Sequence, residues 1–182
     1  MLNLTKRVDY GLIALTHLAC VEKTAAATSP SAPGRLSVRG VAEAYNMSQP
    51  LLANVMKDLA RLGFVRSVRG TKGGYELAFP PEQLTVGRVA EALEGPLRLT
   101  ECVNHQAAAG AAHENAESAS CSVFESCLIK RSLFLVHTKI RDALYGVTIA
   151  DLARNAGPLR HAPSTSGRLP VIAENAQEST SS

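Results

Sequence analysis

The sequence predicts a mainly α-helical fold carrying one small β-hairpin, and three observations point that way. Of the 182 residues, 46% are hydrophobic, yet only 4% are aromatic and none is Trp. The core must therefore be built from Leu, Val, Ile and Ala, a composition that favours helices over a large sheet. Apolar residues recur at three- and four-residue steps over several stretches, whereas residues 64–79 alternate about a glycine-rich centre, as a hairpin does. A chain of this length holds one core, or a small domain plus an assembly element.

The first helix is read from Leu4, Val8, Leu12, Leu15 and Leu18. Lys6 and Arg7 ahead of Tyr10–Val21 have the outline of a secretory leader, but Asp9 and His17 interrupt it. No run approaches the roughly 18 apolar residues of a membrane span, so no membrane partner is expected. The expected setting is the cytoplasm, where thiols stay reduced and clustered cysteines bind metal more readily than they pair. Cys20, on this helix, reads as a small buried residue. Ala25–Gly34 (AAATSPSAPG) reads as a loop.

Ser37 is placed to cap a short helix running to about Tyr45, with Val38, Val41 and Ala42 inward, and Asn46-Met47 forms a turn. Ser48 caps the next helix and Pro50 lies in its first turn, where a missing N–H costs nothing. Leu52, Val55, Met56 and Leu59 form the apolar stripe, and Gly63 ends the helix. Two short helices joined by a tight turn have the layout of a helix-turn-helix. Phe64–Val68 and Tyr75–Phe79, joined by Arg69-Gly70-Thr71-Lys72-Gly73-Gly74, then form a hairpin with a basic tip, the position and character of a wing.

Charge supports a polyanionic partner for this half. Residues 1–75 carry ten Lys/Arg against four Asp/Glu, a net of +6, while residues 76–182 carry nine against twelve, a net of −3. On double-stranded DNA, Ser48, Gln49 and Asn54 are short polar groups near the start of the second helix, suited to base edges or phosphates. Lys57, Arg66, Arg69 and Lys72 are long cations suited to phosphates or a narrow minor groove, and Gly73, Gly74 and Tyr75 complete the wing. The bland alternative is a solvated charged face on an ordinary hairpin.

Thr85 caps a helix over Val86–Leu93 that Gly95-Pro96 stops. Beyond Cys121 a helix of about 20 residues runs to about Tyr145, with Ile129, Leu133, Val136, Ile140 and Leu144 in one stripe and Leu128 and Leu135 widening it. A helix apolar over more than one face needs two partners, its own domain and a second copy of the chain. Such a homodimer predicts a roughly palindromic operator. Gly146 breaks the helix and Thr148 caps a last turn through Ala153. The expected organisation is a winged helix-turn-helix DNA-binding domain at 1–97, a cysteine-bearing loop at 98–127, a dimerisation helix with a final short helix at 128–154, and a disordered tail at 155–182.

Taken together, LTKRVDYGLIALTHLA, MSQPLLANVMKDLARLGFVRSVRGTKGGYELA, three cysteines ahead of a long helix, and VTIADLA resemble the iron–sulfur cluster regulator (IscR/NsrR-like) family of dimeric winged-helix transcription factors. The resemblance implies an iron–sulfur cluster, [2Fe–2S] or [4Fe–4S], on Cys102, Cys121 and Cys127. Five residues separate the last two, as is usual in the family, but the 18 after Cys102 form a longer gap than usual. Some members supply a histidine three residues after the last cysteine, where this chain has Lys130. Others use an acidic residue of the first helix donated by the partner subunit, matched here by Asp9, with His105 and His113 as rivals. Thiolates favour such a cluster or zinc over magnesium or calcium, and no close Cys pair of the structural zinc type is present. A Cys121–Cys127 disulfide, or no metal at all, stays open. An enzyme with a cysteine nucleophile and a small-molecule substrate is not expected, because no recognisable nucleophile context surrounds the cysteines and the candidate bases His105 and His113 sit in a low-complexity stretch.

Overall fold

The computed structural model describes residues 4–28, 34–70, 73–97, 123 and 126–157. Helix α1 (Lys6–Thr28) is the element about which the rest is laid: helices α3 (Gln49–Arg61), α4 (Val86–Glu94) and α6 (Ile149–Arg154) and strand β2 (Gly74–Leu77) all pack on it. Its inward face is Val8, Ala14, Leu15, Leu18 and Ala19, all buried, with Leu4 and Leu12 at the margin. The helix continues through Ala25–Thr28, which the sequence reading gave to a loop. Three consecutive alanines are the best helix formers available and carry the helix to the edge of the Ser/Pro stretch. His17 is half-buried and tied to the Tyr45 hydroxyl at 3.1 Å, which links α1 to α2.

Helix α2 (Val38–Ala44) begins at Ser37, whose hydroxyl accepts the Gly40 N–H, and α3 (Gln49–Arg61) follows the Tyr45-Asn46 turn. In α3, Leu52, Val55, Met56 and Leu59 are the buried residues, the stripe that the spacing predicts. Ser48 stands at the N-cap but makes no side-chain cap bond. Its backbone N–H instead donates to the Tyr10 hydroxyl of α1 at 3.0 Å, so a tertiary bond satisfies one of the donors a helix start exposes.

Strands β1 (Val65–Val68) and β2 (Gly74–Leu77) pair antiparallel, with Val65 opposite Leu77 and Val68 opposite Gly74. Leu36 adds a one-residue bridge to Tyr75 through two backbone bonds of 2.9 and 3.0 Å. A single 3-10 turn, Pro81–Gln83, leads to α4 (Val86–Glu94), where Thr85 caps by accepting the Arg88 N–H.

Helix α5 (Lys130–Gly146) starts later than predicted. Ser126, Leu128 and Ile129 are in turns and Cys127 is in neither helix nor strand, and Ile129 holds the N-cap place with no side-chain cap bond. Apolar spacing sees Leu128 and Ile129 as helical, but the described helix begins only at Lys130. After α5, Val86 N–H donates to Val147 O at 2.9 Å and Ile149 N–H to Leu84 O at 2.7 Å, which brings the chain back onto the core. Helix α6 (Ile149–Arg154) then opens on a full capping box between Thr148 and Asp151 and packs on α1, with Ile149 fully buried. Among the described residues no polar or charged side chain is buried. Apart from Asn155, Ala156 and Gly157, the segment predicted as a tail, 155–182, lies outside the described residues, as does nearly all of the 98–127 loop.

Candidate nucleic-acid interface and thiol site

The outward face of α3 is set by the same periodicity that buries its other side. Gln49, Asn54, Lys57 and Arg61 are exposed at steps of five, three and four residues and form one polar stripe, with Ser48 exposed at its head. Sequence reasoning found Ser48, Gln49, Asn54 and Lys57. Arg61 was missed, although its place one turn beyond Lys57 was the available signal. Asp58 beside the stripe is claimed by Arg7 of α1 at 2.7 Å and by Arg61 at 3.0 Å, which clamps α3 to α1 and partly neutralises Arg61. Among the described residues Lys57 and Arg69 have no acidic partner. Their charge therefore faces solvent uncompensated. Ala53, between these polar groups, is half-buried and adds no hydrogen-bonding group.

The hairpin continues this surface. Arg66 and Arg69 are exposed, and Arg66 Nη2 donates to the Ala78 carbonyl at 3.2 Å, so its stem lies along the strands. Gly73 N–H closes the tip by donating to Gly70 O at 2.8 Å. Gly74 has a packing reason that the sequence did not disclose. A Cβ there would stand 2.5 Å from the Leu36 carbonyl oxygen, so only glycine admits the bridge that ties the wing to the body. Tyr75, opposite Ser67, is half-buried, packs against the core cluster and supplies that bridge through its backbone. Lys72 lies outside the described residues.

Of the predicted ligand set, the described residues include Cys127 and Asp9. Cys127 is a free, half-buried thiol three residues before α5, and Asp9 is an exposed carboxylate in the first turn of α1 with no ion pair among the described residues. A free thiol and an uncommitted carboxylate are chemically suited to iron. Cys102, Cys121, His105 and His113 lie outside the described residues, and among those described no group of three metal-ligating side chains forms. Cys20 is half-buried rather than buried. Its thiol donates weakly to the Ala153 carbonyl at 3.8 Å, and desolvation pushes its pKa up against the opposing pull of Lys23, the marks of an inert structural thiol. Among the described residues no helix is long and apolar enough to cross a membrane.

Comparison with known proteins meets this geometry. Residues 4–155 match the model of the Rrf2 family, described as an iron-dependent transcriptional regulator. The chain is 31% identical over 159 residues to the HTH-type transcriptional regulator NsrR of Halalkalibacterium halodurans, a match covering 87% of this chain and 95% of that protein. Among solved structures it is similar to T. potens IscR, with 27% identity, a TM-score of 0.58 and coverage of 86% of this chain and 89% of the other. It also shares the fold of CymR (YrzC), the global cysteine regulator of B. subtilis, with a TM-score of 0.62 and 24% identity over 86% of this chain and all of that one.

Proposed function

The chain belongs to the Rrf2 family of transcriptional regulators, and on that premise we propose that it is a cytoplasmic homodimeric regulator, acting as a repressor, that grips operator DNA with α3 and the wing and holds an iron–sulfur cluster that tunes its affinity. The observation that carries the DNA reading is the exposed stripe of Gln49, Asn54 and Lys57 continuing onto Arg66 and Arg69, with Lys57 and Arg69 uncompensated. Ser48, Gln49 and Asn54 meet base edges or phosphates, while Lys57, Arg69 and Lys72 neutralise phosphates. Two copies related by a two-fold axis read half-sites about one helical turn apart.

Cys102, Cys121 and Cys127 would hold the cluster, with Asp9 of the partner subunit as the fourth ligand. A bound cluster supplies a centre sensitive to oxidation, nitric oxide and iron supply. The chain's own contribution is to couple the state of Cys127, next to α5, and of Asp9 on α1 to the arrangement of the two protomers, which shifts the population of DNA-competent dimers.

Two measurements test the two halves separately. Replacing Arg69 and Lys72 by Ala should weaken binding to every duplex and flatten the salt dependence by about 1.8 in slope per protomer, or about 3.6 for the dimer, since each phosphate contact releases about 0.9 counterion; an unchanged slope removes the wing from the interface. Absorption and Mössbauer spectra of anaerobically isolated protein should show the cluster, and Asp9→Ala should change its signature. A colourless, iron-free protein after reconstitution leaves a regulator without a metal. A fold shared with a protein described as a cysteine regulator does not by itself imply a cluster.

A further inference from the structure

Two side-chain clusters meet on one turn of α4. Toward α5, the Tyr145 hydroxyl donates to Glu91 Oε2 at 2.5 Å and Arg141 Nε reaches Glu91 Oε1 at 3.4 Å. The Arg141 guanidinium lies over the Tyr145 ring, 5.0 Å from its centroid. That ring rests on Gly87, where any Cβ would overlap it, so α4 and α5 are in direct contact along this seam. Toward the wing, Arg88 sits three residues before Glu91, with its guanidinium 5.4 Å from the Phe64 ring centroid and 5.6 Å from that of Phe79. Phe64 immediately precedes β1, Phe79 follows β2, and Ala78 N–H donates to Phe64 O at 3.0 Å, so these two rings mark the base of the hairpin.

We propose that Arg88 and Glu91 are positioning residues for the wing, through which α4 carries the placement of α5 to the base of the hairpin. Three residues of hydrogen-bonded helix, about 4.5 Å along its axis, separate the two grips, and that span is stiff on this scale. A shift of α5 moves Tyr145 and Arg141, hence Glu91 and α4. Arg88 then moves with respect to Phe64 and Phe79, and the angle of the wing decides whether Arg69 reaches a phosphate. The path differs from direct contact, because neither Arg88 nor Tyr145 belongs to the polar stripe of α3 or the hairpin tip. It rests on the DNA-binding reading above, and α5 is the element next to Cys127, so any event at that thiol reaches the wing by this route.

A double-mutant cycle of Arg88→Ala and Tyr145→Phe tests it in the full chain, with a sequence-randomised DNA duplex pool as probe. Arg88→Ala should weaken binding about two- to fivefold, the worth of an exposed cation–aromatic contact, and Arg88→Lys should restore it. Tyr145→Phe removes only a hydroxyl and should give a smaller loss, with the double variant no weaker than Arg88→Ala alone. Hydrogen exchange supplies a second readout: Tyr145→Phe should speed exchange at the Tyr75 and Ala78 amides, neither of which Tyr145 touches. Strictly additive losses, or hairpin exchange that stays at the wild-type rate, overturn the proposal. Arg69→Ala keeps the two levels apart. If it leaves DNA affinity unchanged, the wing reading itself has failed, whereas if it weakens binding while the cycle is additive, only the α4 path has.

Discussion

Helices α3 and α5 are alike in sequence and opposite in situation. Both are amphipathic and similar in length, 13 and 17 residues, yet α3 buries Leu52, Val55, Met56 and Leu59 completely while α5 has no buried residue at all. Leu135 is 59% exposed, and Ile129, Val136 and Phe134 are similarly open. The chain satisfies α3 from within and attaches α5 mainly along the α4 seam. Large apolar side chains left open like this are what the proposed dimer would cover, so the fold should depend on α3, and on that proposal the dimer should depend on α5.

The strongest way to break that contrast is on the α3 side. Leu59→Ala removes a fully buried side chain and should cost about 2–5 kcal/mol of unfolding free energy, read by urea denaturation. A loss no larger than that of a surface substitution would mean α3 is not the keystone of the body. Next is the seam. Gly87→Ala drives a methyl into the Tyr145 ring and should cost about 1–3 kcal/mol as overpacking, with the largest gain in hydrogen exchange where α4 meets α5.

A smaller effect is expected where the chain returns from α5 to the core. Thr148→Ala loses the cap of α6 and should cost about 1 kcal/mol. Asp151 accepts from the Thr148 hydroxyl and backbone N–H, and these bonds, with Arg154 after them, hold its carboxyl below the ordinary range. A carboxyl with a lowered folded pKa contributes stability above its unfolded value, about 4, and loses it as pH falls through the folded value. Thermal midpoints should therefore converge between wild type and Thr148→Ala on acidification from neutral pH through and below the ordinary carboxylate range. Parallel curves would remove Asp151 from the account.

How much of this was legible depended on whether the signal was periodic. The stripes of α1 and α3, the caps Ser37, Thr85 and Thr148, and the paired strands follow from side-chain spacing and turn chemistry, and the structure places them as read. The Leu36–Tyr75 bridge is one residue long and leaves no pattern, so the reason for Gly74 was invisible. Ala25–Thr28 was misread because the Ser/Pro residues beyond it outweighed the alanines. Arg88 between α4 and the rings of Phe64 and Phe79 is a tertiary contact that no local rule announces. At the candidate site, the exposed half of α3 was legible as the complement of its buried half. Exposure in α5 was not, because an apolar stripe states that it needs a partner and not which chain provides it.

That last ambiguity gives the smallest expected effect on the fold and the sharpest test of the contrast. Leu135→Asp places a charge on a site already 59% exposed, so a single chain should lose no more than about 0.5 kcal/mol, as at other surface positions. If α5 pairs with a second copy, the same carboxylate faces its twin or a desolvated apolar surface, where an unpaired charge is costly. The variant should then sediment as a monomer that keeps its helical circular dichroism. Its DNA affinity should fall because two linked half-site contacts become one, while the wing and α3 stay intact. A variant that still sediments as a dimer would locate the interface elsewhere on the surface. A variant that unfolds would show that α5 belongs to the core after all, and the division between the two helices would be lost.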